Sequence, residues 1–459
     1  MGGLTTSLYI GVQALESTQG ALNATSNNIA NANTPGYTRE VPQFSEGTLN
    51  FTGGQVQGGG VTLTGLQSVR DELLNLQINQ QTSEQSSVDT QSSSLQQIQN
   101  YFTTTGGDIA SALSAFSSSI AQLSANSSST AAQQSVISTG ENLAQSFNQT
   151  ASGLTSAQSA ADSQVTQTVA QINSLSQQIA TLNGQVFQLT AAGQSGGTVE
   201  DQRDQLVNQL SKLTGISVAQ SDNGETITTA NGSPLVVGNQ AFSLQTTTGT
   251  NGLQQVIDSS GNNITASIQG GQLGGALTIR DQTIPSYLNQ LNTLATQFAT
   301  AFNSAQAAGF DSNGNAGGKF FNLPASASQA AAGISVAITN PAQIAISSDG
   351  APGSNGNVVN LAAAVNNALP SGETPAAAYA SLVYQVGNAT SSATSQSSAI
   401  GANLLSLTNQ QSSESGVNID EETTNLIRYQ TAYEAAARII STVQALGTVT
   451  LDMGSSQSY

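Results

Sequence analysis

The sequence predicts a mainly α-helical, elongated molecule with a β-rich insertion. Its long helical-bundle and coiled-coil body is formed by both chain termini, and a small outer β domain is set into it. Three observations predict this. Apolar residues recur at three- and four-residue intervals at both ends of the chain and through much of its interior. Between residues 216 and 278 that period gives way to short β-branched runs separated by turn sequences. Charged residues make up only 7% of the chain, against about 25% in ordinary soluble domains, and Ser, Thr, Asn, Gln and Gly take their place.

At the start, Leu8, Leu15, Leu22 and Ile29 recur every seven residues, with Leu4 and Val12 beside the stripe. A helix with one narrow apolar seam cannot bury it alone, so this one needs a partner. The stripe runs into the amides Asn27, Asn28 and Asn31 and then into Thr34-Pro35-Gly36-Tyr37, a turn that stops the helix. Leu66, Val69, Leu73 and Leu76 predict a second helix, and Ile109, Leu113, Phe116, Ile120 and Leu123 a third. The clearest interior stripe is Val165, Val169, Ile172, Leu175, Ile179, Leu182, Val186 and Leu189. In the next segment, Asp201 and Asp204 flank Arg203 on a polar helix, which reads as a solvated face with a weak salt bridge.

Turns are predicted at Ser221-Asp222-Asn223-Gly224 and Asp258-Ser259-Ser260-Gly261-Asn262, with strands such as Ile227-Thr228-Thr229 beside them. Ile284, Leu288, Leu291, Phe298 and Phe302 predict a further helix with Pro285 near its start, and Ile334 to Ile338 alternates as a strand. At the far end Leu426, Tyr429, Tyr433, Ala436, Ile440 and Val443 alternate by three and four, the spacing of a coiled-coil seam. Asn418 is an N-cap with Glu421 three residues on, and Asp420, Glu421 and Glu422 suit the positive end of that helix. The two ends are expected to pack on each other or on neighbouring copies. The expected organisation is a terminal coiled-coil domain (1–39 with 415–459), a helical body (40–215 with 279–329 and 357–414) and a β-rich outer domain (216–278 with 330–356).

Composition excludes several functions. The chain has 26 acidic and 8 basic residues, a net charge of −18. Nucleic acid or an anionic membrane surface would need a basic patch that eight scattered cations cannot make. There is no Cys, His or Trp, which removes disulfides, thiol nucleophiles and cysteine zinc sites. Asp311, Asn313 and Asn315 have the first spacings of a calcium loop, but Ala316 and Asn322 stand where its glycine and glutamate belong, so a plain turn is expected. No catalytic residue, metal or cofactor is expected, and no run of about 18 apolar residues offers a membrane span. No Lys or Arg precedes Arg39 and no signal-type apolar core follows the start, so export without a cleaved signal peptide is expected.

Asn27-Asn28-Ile29-Ala30-Asn31-Ala32-Asn33-Thr34-Pro35-Gly36-Tyr37 resembles the signature shared by axial flagellar proteins of the rod, hook and hook-associated groups. Thr38-Arg39-Glu40-Val41, Asp201 to Leu213, Gly270 to Asp281, Gly309 to Gly318 and Asp420 to Ile440 are similar to segments of the hook-associated protein 1 family. In that family Gly270 to Gly275 would be a return strand. The resemblance implies a structural, non-enzymatic subunit of the hook–filament junction, extracellular and needed for filament attachment. Implied partners are hook protein, hook-associated protein 3, further copies of the chain in a ring or helical assembly, and a type III export chaperone and apparatus. Leu8, Leu15, Leu22, Ile29, Leu426, Tyr429, Tyr433, Ile440 and Val443 are the expected assembly interface. Another axial protein or a secreted adhesin is the alternative.

Overall fold

The computed structural model describes residues 2–48, 50–52, 55–103, 108–221 and 224–455. Helix α1 (Gly2–Asn31) leads into strands β1 (Glu40–Glu46), β2 (Asn50–Thr52), β3 (Gln55–Gln57) and β4 (Val61–Ser68). Helices α2 (Glu72–Phe102), α3 (Ile109–Ala125), α4 (Thr130–Ala191) and α5 (Gly197–Leu213) follow. Then come β5 (Ile216–Ser221), β6 (Gly224–Thr229), β7 (Pro234–Val237), β8 (Gln240–Ala241), β9 (Gln245–Thr248) and β10 (Gln254–Ile257). Helix α6 (Gly271–Thr278) passes through a π-helical turn (Ile279–Thr283) into α7 (Ile284–Ala307). The chain closes with β11 (Phe321–Asn322), α8 (Ala330–Gly333), β12 (Ser335–Val336), α9 (Val358–Asn366), α10 (Pro375–Ser415) and α11 (Ile419–Ser455). The mainly helical architecture, the long terminal helices and the small central β region are those the periodicity predicts. None of the described helices is long and apolar enough to cross a membrane.

Side-chain caps set the helix starts. Asp71 accepts from the Leu74 amide, Asp108 from Ser111, Ser129 from Ala132, and Thr374 from Ala377 ahead of Pro375. Each satisfies a backbone donor that the first turn cannot pair, worth about 1 kcal/mol. Asn418 does the same for α11, accepting from the amides of Asp420 and Glu421.

Among the described residues the buried apolar side chains form two clusters. The first gathers α3, the first half of α4, α7, α9 and the upper part of α10 around Phe116, Phe298, Phe302, Phe320 and Phe321, all wholly buried. Their rings meet at 4.8–6.4 Å between centroids, and burying each contributes about 1.5–3 kcal/mol. The second cluster joins the other half of α4 (Val165, Val169, Ile172, Ile179) to α5, to the antiparallel meander β5-β6-β7-β8 and to β10. Where the clusters meet, Arg280 of the π turn is 2% exposed. It pairs with Asp162 at 2.7 Å and Asp281 at 2.8 Å and donates to the Gln254 carbonyl at 2.7 Å. A buried cation so surrounded ties α4, β10 and α7 together.

Four expectations are corrected. Leu66 lies in β4, paired with Pro42 of β1, and Val69 lies in the connection, so no helix spans Leu66 to Leu76. Asp71 caps the helix that does form, leaving Leu73 and Leu76 exposed on its first turn. Gly270 to Gly275 is not a return strand but leads into α6, because the helix must lie close to its neighbours. A Cβ on Gly275 would stand 2.5 Å from the Ser87 carbonyl of α2, and one on Gly271, at φ +60°, would overlap the Thr214 amide. Ile334 to Ile338 forms strand only at Ser335–Val336, which pairs with β11; Ile334, Ile338, Ile344 and Ile346 pack in the first cluster, away from the 216–278 strands. Asp201 and Arg203 are buried, not solvated. Asp222 and Asn223, the middle of one expected turn, lie outside the described residues.

Candidate functional site

Helices α1 and α11 pack antiparallel, and their stripes face one another within the chain. On α11, Tyr429 and Ala436 are buried and Leu426, Tyr433, Ile440 and Val443 half-buried; on α1, Ala21 and Ala24 are buried and Leu8, Leu15, Leu22 and Ile29 half-buried. The helices approach closely because Gly11 meets α11, where a Cβ would stand 2.9 Å from Ile440 Cγ1. The β1–β4 hairpin lies on the other flank of α1. Ser17 Oγ donates to the Val61 carbonyl and accepts from the Leu63 amide, at 3.0 and 3.1 Å. A Cβ on Gly20 would overlap the Leu63 side chain, and Phe44 meets Tyr429 at 6.3 Å between ring centroids.

The backs of both helices remain uncovered. Ile427, Ile439, Leu446, Val449 and Met453 of α11 are about half exposed or more, as are Tyr9 and, less so, Val12 of α1. At 100° per residue Ile427, Leu446, Val449 and Met453 fall within a sector of about 100° that avoids the face packed on α1, while Ile439 stands at its edge, its Cγ2 beside Gly11. The terminal hairpin therefore carries a second apolar surface.

Below the hairpin the signature residues form a neck, with Asn28 at its centre. Its amide nitrogen donates to the Glu40 carbonyl (2.9 Å) and Glu422 Oε2 (3.0 Å), and its oxygen accepts from Tyr37 OH (2.8 Å) and the Glu40 amide (3.0 Å). All four bonding positions of the amide are filled. Glutamine would overreach and aspartate has no donor, so the geometry asks for asparagine. Tyr37 is pushed up to about 12, by burial first and then by Glu40, Asp201 and Glu422. Asn31 closes the turn, donating to the Asn27 carbonyl (3.0 Å) and accepting from Thr34 Oγ1 (3.2 Å); Asn27 itself is exposed. Gly36, at φ +75°, lies against Gln205, which donates to the Pro35 carbonyl at 3.0 Å.

From the neck, ion pairs run into the body. Arg39 pairs with Glu421 at 2.9 Å, and its amide donates to the Ser415 carbonyl, holding the α10–α11 junction. The Thr38 amide donates to Asp201, whose other oxygen takes Arg70 at 2.6 Å; Arg70 also holds Glu200 at 2.6 Å and the Gly197 carbonyl at 2.8 Å. Arg203 pairs with Glu225 of β6 at 2.9 Å. Burial raises both Asp204 and Glu225, Glu225 to about 7, although Arg203 and Arg70 pull against it. A cleft of about 1600 Å³ opens beside this network, lined by Pro35, Tyr37, Leu76, Phe187 and Glu225 among others.

The signature and the seams are marked in the sequence, but Arg70, Glu225 and the part Glu40 plays in the neck are not. A usable signal was present. In a chain with eight cations, Arg39, Arg70, Arg203 and Arg280 are all buried or nearly so and all paired. Among the described residues no acidic group is arranged to hold a metal. Asp311 accepts instead from the amides of Asn313 and Asn315, an ordinary Asx turn.

The pattern described as the flagellar hook-associated protein FlgK helical domain matches residues 95–321. That of the flagella basal body rod protein matches 8–38, and that of the flagellar basal body rod FlgEFG protein C-terminal region matches 409–452. The chain is 30% identical over 531 residues to flagellar hook-associated protein 1 of Escherichia coli K12, covering 95% of this chain and 97% of that protein. The protein of the same name from Bacillus subtilis strain 168 is 29% identical over 490 residues, with 95% and 96% covered. The solved flagellar hook junction protein FlgK from Burkholderia pseudomallei shares the fold, with a TM-score of 0.66 at 20% identity over 73% of this chain and 99% of that one.

Proposed function

The chain belongs to the flagellar hook-associated protein 1 family, and from this premise we propose that its terminal hairpin is the element that builds it into the hook–filament junction. The protein is a structural component of the flagellum at that junction. The hairpin's exposed apolar stripe, Ile427, Leu446 and Val449, carries the proposal: each copy pairs its own ends and offers that stripe, with the seam residues behind it, to copies on either side. Hook protein on one side and hook-associated protein 3 on the other are the proposed neighbours. A type III export chaperone and apparatus deliver the chain outside the cell. The protein performs no catalysis; its polar groups hold one another in structural networks.

Electron microscopy of cells lacking the gene, complemented by the natural chain or by Tyr433→Asp, tests this. Bare hooks in the null strain, and again with the variant chain released to the medium, are expected. Intact filaments in the null strain overturn the junction role and revive an adhesin. Missing hooks point to another axial protein. Normal incorporation of the variant overturns the assembly role of the hairpin.

A further inference from the structure

Six Asn-Gly pairs occur in the chain, at Asn183, Asn223, Asn231, Asn251, Asn313 and Asn355. Such a pair can react with itself, because no Cβ on glycine screens its amide nitrogen from the preceding side chain. The glycine nitrogen, its proton lost to solvent base, attacks the asparagine Cγ. An N–Cγ bond forms, the Cγ–Nδ2 bond breaks and ammonia leaves. Water then opens the five-membered imide at either carbonyl, giving aspartate or isoaspartate. Water is the only co-reactant.

The attack needs a glycine N–H that is not engaged and an asparagine side chain that can turn. The fold denies one or both at four of the pairs. Asn183 is wholly buried on α4, its amide donating to the Glu225 and Gly238 carbonyls at 2.8 and 2.9 Å. The Gly232 amide donates to Thr229 at 2.8 Å, while Asn231 bonds Thr229 and Ser233. The Gly252 amide donates to Gly249 at 3.0 Å, with Asn251 taking the Leu253 amide, and the Gly314 amide donates to Asp311 at 3.1 Å. Asn223 lies outside the described residues.

Asn355 differs. It is exposed, and among the described residues neither its side chain nor the Gly356 amide makes a hydrogen bond. A Cβ at Gly356 would overlap Ser348 Oγ unless that side chain turned. We propose that Asn355 is a site of spontaneous deamidation in the folded protein, selected from the other described Asn-Gly pairs by its free backbone amide and unrestrained side chain. The site borders a latch. Asn357 is fully buried and donates to the Ala305 and Ala345 carbonyls at 2.9 and 2.7 Å, and the Val358 amide that opens α9 donates to the Asn355 carbonyl at 3.2 Å. Isoaspartate would lengthen the backbone by one carbon and add a charge there, loosening the start of α9 against the first cluster.

The test incubates the full chain in mildly alkaline buffer, natively and in urea, and maps peptides by mass spectrometry with isoaspartate-specific enzymatic methylation. A locked pair must first break one or two hydrogen bonds, which slows it about tenfold or more. In the native chain Asn355 is therefore expected to convert ahead of Asn183, Asn231, Asn251 and Asn313 by that margin, with isoaspartate in excess. In urea the five should react at similar rates. Asn355→Gln, at an exposed position, should abolish the signal from its peptide alone. An unreacted Asn355 in the native chain, or equal native rates at all five, overturns the proposal.

Discussion

The phenylalanine cluster and the terminal hairpin are built from opposite materials. Around Phe116, large rings are wholly buried and touch one another. In the hairpin the buried apolar residues on α1 are Ala21 and Ala24, the seam is half-buried, and the largest apolar side chains at the far end of α11 lie outside. The first region holds its own stability. The second is a narrow two-helix seam of the kind that is marginal alone and gains from neighbours. A subunit made to be built into a larger object can keep these roles apart, with a body that is finished and ends that are not.

Mutations can break that contrast or sharpen it. Phe298→Ala should cost about 3–5 kcal/mol, seen as an earlier denaturation midpoint of the whole body. Asn28→Ala should act locally. It leaves Tyr37 OH and Glu422 short of partners at a cost of about 2–3 kcal/mol, and hydrogen exchange should speed up in α1 and α11 while α7 stays protected.

Glu225 gives a smaller, pH-dependent effect. Its carboxyl is raised by burial to about 7, so between the usual carboxylate range and that value the folded chain holds a proton the unfolded chain has released. Its stabilising contribution is complete below the window and is lost as pH rises through it, at up to about 1.4 kcal/mol per pH unit. Glu225→Gln should flatten that slope in denaturation midpoints measured across the window. Smallest on the isolated chain is Ile427→Ser, within about 0.5 kcal/mol because the side chain is exposed. Its assembly should nevertheless suffer, and unimpaired co-assembly with flagellar hooks would remove the exposed stripe from the interface.

Helices α1, α11 and the second half of α4 were legible because their spacing repeats for many turns, and Asn418 and Pro285 are local signals. The β4 error has a physical origin: Leu66, Val69, Leu73 and Leu76 keep helical spacing by coincidence, while the pairing of Leu66 with Pro42 is a long-range event that no local window contains. The strand at Gly270 to Gly275 was implied by the family resemblance alone; the glycines instead allow α6 to touch α2. The neck was half legible. Asn28 and Tyr37 belong to a contiguous signature, whereas Arg70 meets Asp201 across 131 residues of chain.

Helix α4 runs unbroken for 62 residues, roughly 90 Å at 1.5 Å per residue, and serves both clusters. It is a spar. A sideways push on strands β5 to β10 is carried along it as a bending moment and reacts against the phenylalanine cluster, with Arg280 as the pin where the two halves join. At the hook–filament junction, such a member lets the strand-bearing end of the subunit be loaded while its far end keeps its place.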